Sequence, residues 1–166
     1  MKKKLILYLF LSSFLTVHLT ANQSMINMNT LLSQSSKDNK YIMVFFHINN
    51  CIYCKRMESK TLQNEVIKNT IKKDFIFLDV NTDETDNIII KNKRYSTKEF
   101  ANKHDVHFFP TVLFIDSENE VIYKARGYRD ILTFKKILTY VSSNMFEEMS
   151  FFEYSEKRNS PSQDKE

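Results

Sequence analysis

Glycine and proline are almost missing from this sequence, with one Gly and two Pro among 166 residues, and tryptophan is missing altogether. Residues so sparingly used mark positions with a specific backbone demand, which singles out Gly127, Pro110 and Pro161. No segment repeats, which excludes a solenoid or propeller. Excess charge is missing too. The formal net charge is +4, but Lys2, Lys3 and Lys4 account for three of the 24 basic side chains, leaving 21 against 20 acidic. A chain so nearly balanced offers no electrostatic case for nucleic acid. Two cysteines permit one internal disulfide at most. What remains is ample for one core: 42% of residues are hydrophobic and 14 are Phe. The length suits one ordinary domain plus extensions.

The first extension is a leader. Three lysines precede an apolar run from Leu5, and Leu19-Thr20-Ala21 supplies a small-residue exit. A basic start, a short apolar stretch and a small residue at the cut have the form of a secretory signal peptide. The run from Leu5 to Val17 is shorter than the about 20 apolar residues that cross a bilayer. Residues 1–21 are therefore expected to be a signal peptide cleaved after Ala21. Retention would make it a membrane anchor. Export places the cysteines in an oxidising compartment, where a disulfide persists.

Cys51 and Cys54 follow the apolar run of residues 41–46 directly and precede a helix-like segment. Two thiols three apart at a strand-to-helix junction form a redox signature. At a helix N-terminus the unpaired N–H groups and the dipole favour an anion, so Cys51 is expected to ionise more readily. Cys54, one turn further in on the same side, is expected to be more buried. Cys51 then attacks and Cys54 resolves. The duller alternative is a structural staple, but so short a loop gains little from chain entropy.

Around this pair the chain reads as alternating strands and helices. Residues 22–40 are expected to form a helical lead-in, and residues 41–48 a strand buried on both faces. Residues 55–72 carry an imperfect amphipathic stripe, read as one cover helix. Residues 74–80 form a second strand, and 81–95 a solvated excursion. Ser96 with Glu99 three residues later caps a short helix. Residues 112–115 and 120–125 form two more strands separated by turn residues. Gly127 marks a break and Asp130 caps a last helix. The domain is expected over residues 41–154, with a polar, disordered tail over 155–166.

The order strand, Cys pair on a helix, strand, helix, Pro-led strand, strand, helix is an α/β arrangement with a hairpin at one edge. Val44-Phe45-Phe46 through Cys51-Ile52-Tyr53-Cys54-Lys55, then Thr97-Lys98-Glu99-Phe100-Ala101, Val106 through Phe109-Pro110-Thr111-Val112-Leu113-Phe114, and Gly127-Tyr128 resemble the periplasmic thioredoxin-like proteins, the SoxW-type family in particular. The resemblance implies a thioredoxin fold: a central mixed sheet flanked by helices, Cys-x-x-Cys at a helix N-terminus and a cis-proline loop opposite. It also implies that Pro110 is cis and faces the cysteines, so that Phe109 offers its N–H and C=O to an extended client. Ile52, Tyr53, Phe109, Pro110 and Thr111 are then the expected substrate-binding residues.

Several positions depart from the pattern. Ile52-Tyr53 replaces Gly-Pro, a dipeptide that tunes the reduction potential. Asn50 stands where many thioredoxins carry Trp. Phe109 replaces Thr, Ile or Val and brings no hydroxyl to the thiolate. Phe45 occupies the position of a buried acid. His47, two residues along the same strand and so on the same face, is the candidate proton relay for Cys54; its other reading is a partly buried, locally bonded histidine. Glu58 reads as a solvated helix charge. Cys51, Cys54, His104 and His107 could together form a four-ligand zinc set, but the His-x-x-His spacing is unlike a zinc finger's, and no metal or other cofactor is expected.

The leading expectation is an exported thiol:disulfide oxidoreductase, a periplasmic monomer that reduces or exchanges disulfides in exported proteins and draws electrons from a membrane thiol-reducing protein. The alternatives are a disulfide donor and a thioredoxin-fold module that binds or handles metal. N-terminal sequencing of the protein from the producing cell is expected to begin at Asn22; an intact Met1 in the membrane fraction would make it anchored instead.

Overall fold

The computed structural model describes residues 25–84 and 87–159. The expected signal peptide lies outside the described residues. Strand β1 (Met25–Asn27) leads into α1 (Met28–Asp38), and β2 (Tyr41–His47) runs to the cysteines. Helix α2 (Ile52–Arg56), a wide π turn (Met57–Leu62) and α3 (Glu65–Asp74) return the chain to β3 (Phe75–Asn81). The hairpin of β4 (Asn87–Ile90) and β5 (Lys93–Ser96) precedes α4 (Thr97–Lys103). Strands β6 (Thr111–Ile115) and β7 (Val121–Arg126), α5 (Ile131–Ser142), a 3-10 turn (Met145–Glu147) and α6 (Phe151–Asn159) complete the chain.

The principal sheet has the order β3-β2-β6-β7, with β2 parallel to β3 and antiparallel to β6, and β7 antiparallel to β6. It is the mixed, helix-flanked sheet of the thioredoxin fold. Because successive side chains of a strand point to opposite faces, β2 feeds two cores. Met43 and Phe45 pack with Phe134, Ile137 and Leu138 of α5. Ile42, Val44 and Phe46 pack with Met28 of α1 and Phe100 of α4 on the other face. The near-continuous apolar run is what a strand covered on both faces requires.

Two helix starts match the sequence closely. Ser96 and Glu99 form the reciprocal capping box at α4, and the Asp130 side chain accepts from Thr133 N–H at 2.8 Å to cap α5. Gly127, at φ +82°, occupies the left-handed region that other residues enter at a cost, while its N–H donates to the Pro110 carbonyl at 2.7 Å.

Four expectations are corrected. Residues 22–40 are not a mere lead-in: α1, capped by Asn27, buries Met28 in the second core and belongs to the domain. The cover helix is broken in two. Met57 and Leu62 are buried five residues apart, a spacing that a π turn brings onto one face, and the Thr61 hydroxyl donates to the Arg129 carbonyl at 2.8 Å. Asn64 then restarts the helix by accepting from Val66 and Ile67 N–H. Residues 81–95 are not a solvated excursion either, because β4 and β5 pair with β1 in a second sheet and bury Ile88 and Ile90. Its turn, Lys91-Asn92, takes positive φ at both residues, the primed geometry that suits a two-residue hairpin. Finally, helix continues through Asn159, so the tail is ordered past residue 155. Ser150 and Glu153 cap α6 reciprocally, Tyr154 packs on Tyr140 with ring centroids 5.3 Å apart, and Arg158 lies over the Tyr154 ring.

Tyr154 separates packing from hydrogen bonding in this last helix. Its ring is buried, while its hydroxyl oxygen has no partner among the described residues. Tyr154→Ala is expected to cost about 2–4 kcal/mol, as large-to-small core changes do. Tyr154→Phe is expected to be neutral or stabilising by up to about 1 kcal/mol, because it removes an unmet polar group. Urea unfolding of both variants measures the contrast; equal losses would contradict this account.

Candidate active site

Strand β2 ends at His47, and the next residues turn the chain into α2. Asn50 makes that turn at φ +57°, a left-handed conformation that asparagine tolerates better than most residues. The loop is tied to the end of β3. Asn49 N–H donates to Asp83 at 2.8 Å, the Asn81 amide donates to the Asn49 side chain at 3.0 Å, and Thr82 N–H donates to the His47 carbonyl at 2.9 Å.

Cys51 stands at the N-cap of α2, and its sulfur accepts from Cys54 N–H at 3.1 Å. The two cysteines are joined in a disulfide, with Cα atoms 5.2 Å apart. Cys51 is partly exposed, whereas Cys54 is only 3% exposed. A helix N-cap and water access favour a thiolate at Cys51; burial disfavours one at Cys54.

Strand β6 begins beside the end of β2, with Thr111 opposite Phe46. The Pro110 loop and the cysteine pair are thus delivered to the same end of the sheet by adjacent antiparallel strands. The Phe109-Pro110 bond is cis. Pro110 and Thr111 are buried, and the Thr111 hydroxyl donates to the Phe108 carbonyl at 2.7 Å. Its side chain therefore ties the loop to the backbone that precedes Pro110. Phe109 is half-buried against the second core and lines a groove of about 350 Å³ with Ile48, Lys98 and His107. The exposed ring is its neighbour Phe108, at 68%. Sequence reasoning passed over Phe108, although an aromatic beside Pro110 was the available signal. Ile52 and Tyr53 are 79% and 60% exposed, apolar side chains left in water beside the disulfide.

His47 Nε2 lies 2.9 Å from Asp79 Oδ1 on β3, and its ring stacks on Phe45 at 5.3 Å. The hydrogen bond to Asp79 raises its pKa above the ordinary value of 6.5; burial opposes the rise, and the charges of Asp79, Glu58 and Glu84 add to it. His47 and Glu58 share with Cys54 the wall of a cavity of about 400 Å³. Glu58 is exposed, as a solvated helix charge would be, but it also borders this cavity. The two histidines of the alternative zinc set have other neighbours: His104 packs edge-on against Phe100 at 4.7 Å, and His107 pairs with Asp105 at 3.1 Å.

Comparison with known proteins bears on the same segment. The thioredoxin-like domain family matches residues 28–142, which includes α1. A stretch of 64 residues is 31% identical to anterior gradient protein 3 of Mus musculus, covering 39% of each chain, so the chain spans about two fifths of that curated relative. A thioredoxin-fold protein from Helicobacter pylori superposes with a TM-score of 0.60 at 25% identity, over 73% of this chain and 80% of that one. A thioredoxin from Thermus thermophilus follows at 0.55 and 22% identity, covering 70% and 85%.

The histidines give stability opposite pH dependences. Burial holds His104 at about 4 in the folded chain, with Lys103 and Lys124 acting in the same direction. As pH falls below 6.5 the unfolded chain takes up a proton that folded His104 refuses, so stability declines from pH 6.5 to about 4. His47 binds its proton more tightly when folded, so its contribution is complete below 6.5 and is lost as pH rises through the raised value. His104→Leu is expected to flatten the acid decline, measured as the difference in urea midpoint between about pH 7 and about pH 4.5. An undiminished decline would locate the acid sensitivity elsewhere.

Proposed function

The chain belongs to the thioredoxin-like family, and from that membership we propose that it is an exported thiol:disulfide oxidoreductase of the SoxW type, reducing or exchanging disulfides in periplasmic proteins. The observation that carries this reading is the asymmetric disulfide: Cys51 partly exposed at a helix N-cap, Cys54 buried one turn further on.

In the reductive direction the reduced pair meets a client disulfide. The Cys51 thiolate attacks one client sulfur, forming a mixed disulfide and expelling the other client sulfur as a thiolate that takes a proton from water. Cys54 loses its proton and attacks Cys51 Sγ, which breaks the mixed disulfide and releases the second client thiol. Two electrons pass from the pair to the client, and the Cys51–Cys54 disulfide is restored. A membrane thiol-reducing protein would return the electrons, and no small-molecule cofactor takes part. Ile52, Tyr53, Phe108 and Phe109 would form the apolar lip on which the client rests, with buried Pro110 and Thr111 shaping the loop beneath it.

Each thiol has its own expected phenotype. Cys54→Ser is expected to trap clients on Cys51 as lasting mixed disulfides, while Cys51→Ser traps almost none. Equal trapping by both variants would overturn the assignment of roles. The direction is read from the potential of the pair: about −270 mV supports a reductant and about −120 mV an oxidant.

A further inference from the structure

The resolving step needs a base, because Cys54 is 3% exposed and burial disfavours its thiolate. We propose that His47, oriented by Asp79, is the base that takes the Cys54 proton, so that a histidine–carboxylate pair spanning β2 and β3 drives release of the client. This rests on the oxidoreductase reading.

The geometry assigns the two residues different tasks. Asp79 accepts the Nε2 proton of His47 at 2.9 Å. With Nε2 bound as a donor, the neutral ring carries its free lone pair on Nδ1, and the neighbouring carboxylate makes that nitrogen a stronger base. The ring is further fixed by stacking on Phe45. His47 and Cys54 border one cavity, whose volume of about 400 Å³ has room for the water through which the proton passes. Cys54 S–H gives its proton to His47 through that water; the thiolate attacks Cys51 Sγ; the S–S bond to the client breaks. The departing thiolate is then protonated, and the imidazolium returns its proton to solvent. Asp79 itself is a positioning residue, half in water on the outer side of His47.

The other charged groups around His47 fix what must be tested against it. Glu58 on the π turn and Lys55 on α2 line the same cavity, and Glu84 after β3 lies within electrostatic reach of the ring. Glu58 is the competing base. It is exposed to water, whereas His47 is held by Asp79 at 2.9 Å.

Reduced full-length protein mixed rapidly with 5,5′-dithiobis(2-nitrobenzoate) separates the two thiols in time. Cys51 releases the first thionitrobenzoate, and Cys54, by attacking the resulting mixed disulfide, releases the second. The rate of the second release is measured against pH for the unaltered protein and for His47→Gln, Asp79→Asn and Glu58→Gln. The expected result is a rate that rises through the pKa of His47. Asp79→Asn is expected to move that midpoint toward acid, since the lost carboxylate was holding the histidine up. His47→Gln is expected to slow the second release at about pH 7.5 by at least tenfold, general bases contributing about 10² to 10⁴, and to leave a midpoint in the alkaline range of a buried thiol. A purely structural role for Asp79 would not shift the midpoint. The proposal is overturned if the second-phase profile is the same in the unaltered protein, His47→Gln and Asp79→Asn, or if Glu58→Gln alone displaces it. Absence of any second release from the unaltered protein would instead refute the thiol-exchange reading itself.

Discussion

Burial of β2 on both faces is the constraint on which the other features depend. Its five central residues, Ile42 to Phe46, are divided between two cores, so a slip of one residue would exchange the faces and eject both sets from their partners. Register is therefore fixed against β3 and β6 together. A strand held so firmly carries its last residue, His47, and the following cysteines to a set position. Rigid secondary structure underneath and a tied loop above are what a reacting pair of sulfurs requires. The loop bonds to Asn81, Thr82 and Asp83 extend that rigidity from the strand to the first sulfur.

The polar chemistry near Cys54 lies beside the core rather than inside it. Phe45 points into the first core and packs with α5, and its register partner on β3 is Asp79. A carboxylate at position 45 would be buried among apolar side chains and would need a partner there to remain charged. At Asp79 the same charge stays half in water, with little desolvation cost. His47 reaches across from the neighbouring strand and converts that peripheral charge into a group at the cavity wall. The arrangement keeps Phe45 free to stabilise the fold while a titratable group remains close to the buried sulfur.

Much of this was legible from local pattern. The cysteine pair, the β2 run, the Ser96 and Asp130 caps and the proline before β6 are signals carried within a few residues, and each lies where the sequence places it. The small second sheet was not legible, because β5 is short and largely polar, and β1, at three residues, becomes a strand only when β4 lies beside it. The hairpin turn Lys91-Asn92 has no glycine to announce its positive φ. The π turn was hidden for a related reason: Met57 and Leu62 look out of phase on a helix of ordinary pitch and fall into phase only in the wider turn. The role of Asp79 needs the β2–β3 register, since 32 residues separate it from His47. The Thr111 bond to the Phe108 carbonyl was not legible either, because sequence shows the type of a residue beside a proline and not which way its hydroxyl turns.

The exposed apolar groups beside the disulfide complete the physical argument for the proposed function. Ile52, Tyr53 and Phe108 stand in water at the end of the sheet to which the cysteines and the Pro110 loop are delivered. Burial of such surface is worth about 25 cal/mol per Å² and has no directional demand. A lip of this kind would reward a client for covering it without requiring a particular sequence, which suits a reagent that meets many partners. Discrimination would then reside in the sulfurs: the exposed one accepts whatever disulfide reaches the lip, and the buried one acts only on the bond formed at Cys51. Loose recognition and ordered chemistry are compatible here because they lie on separate parts of the structure, the first on side chains that project from α2 and the Pro110 loop, the second on the fixed end of β2.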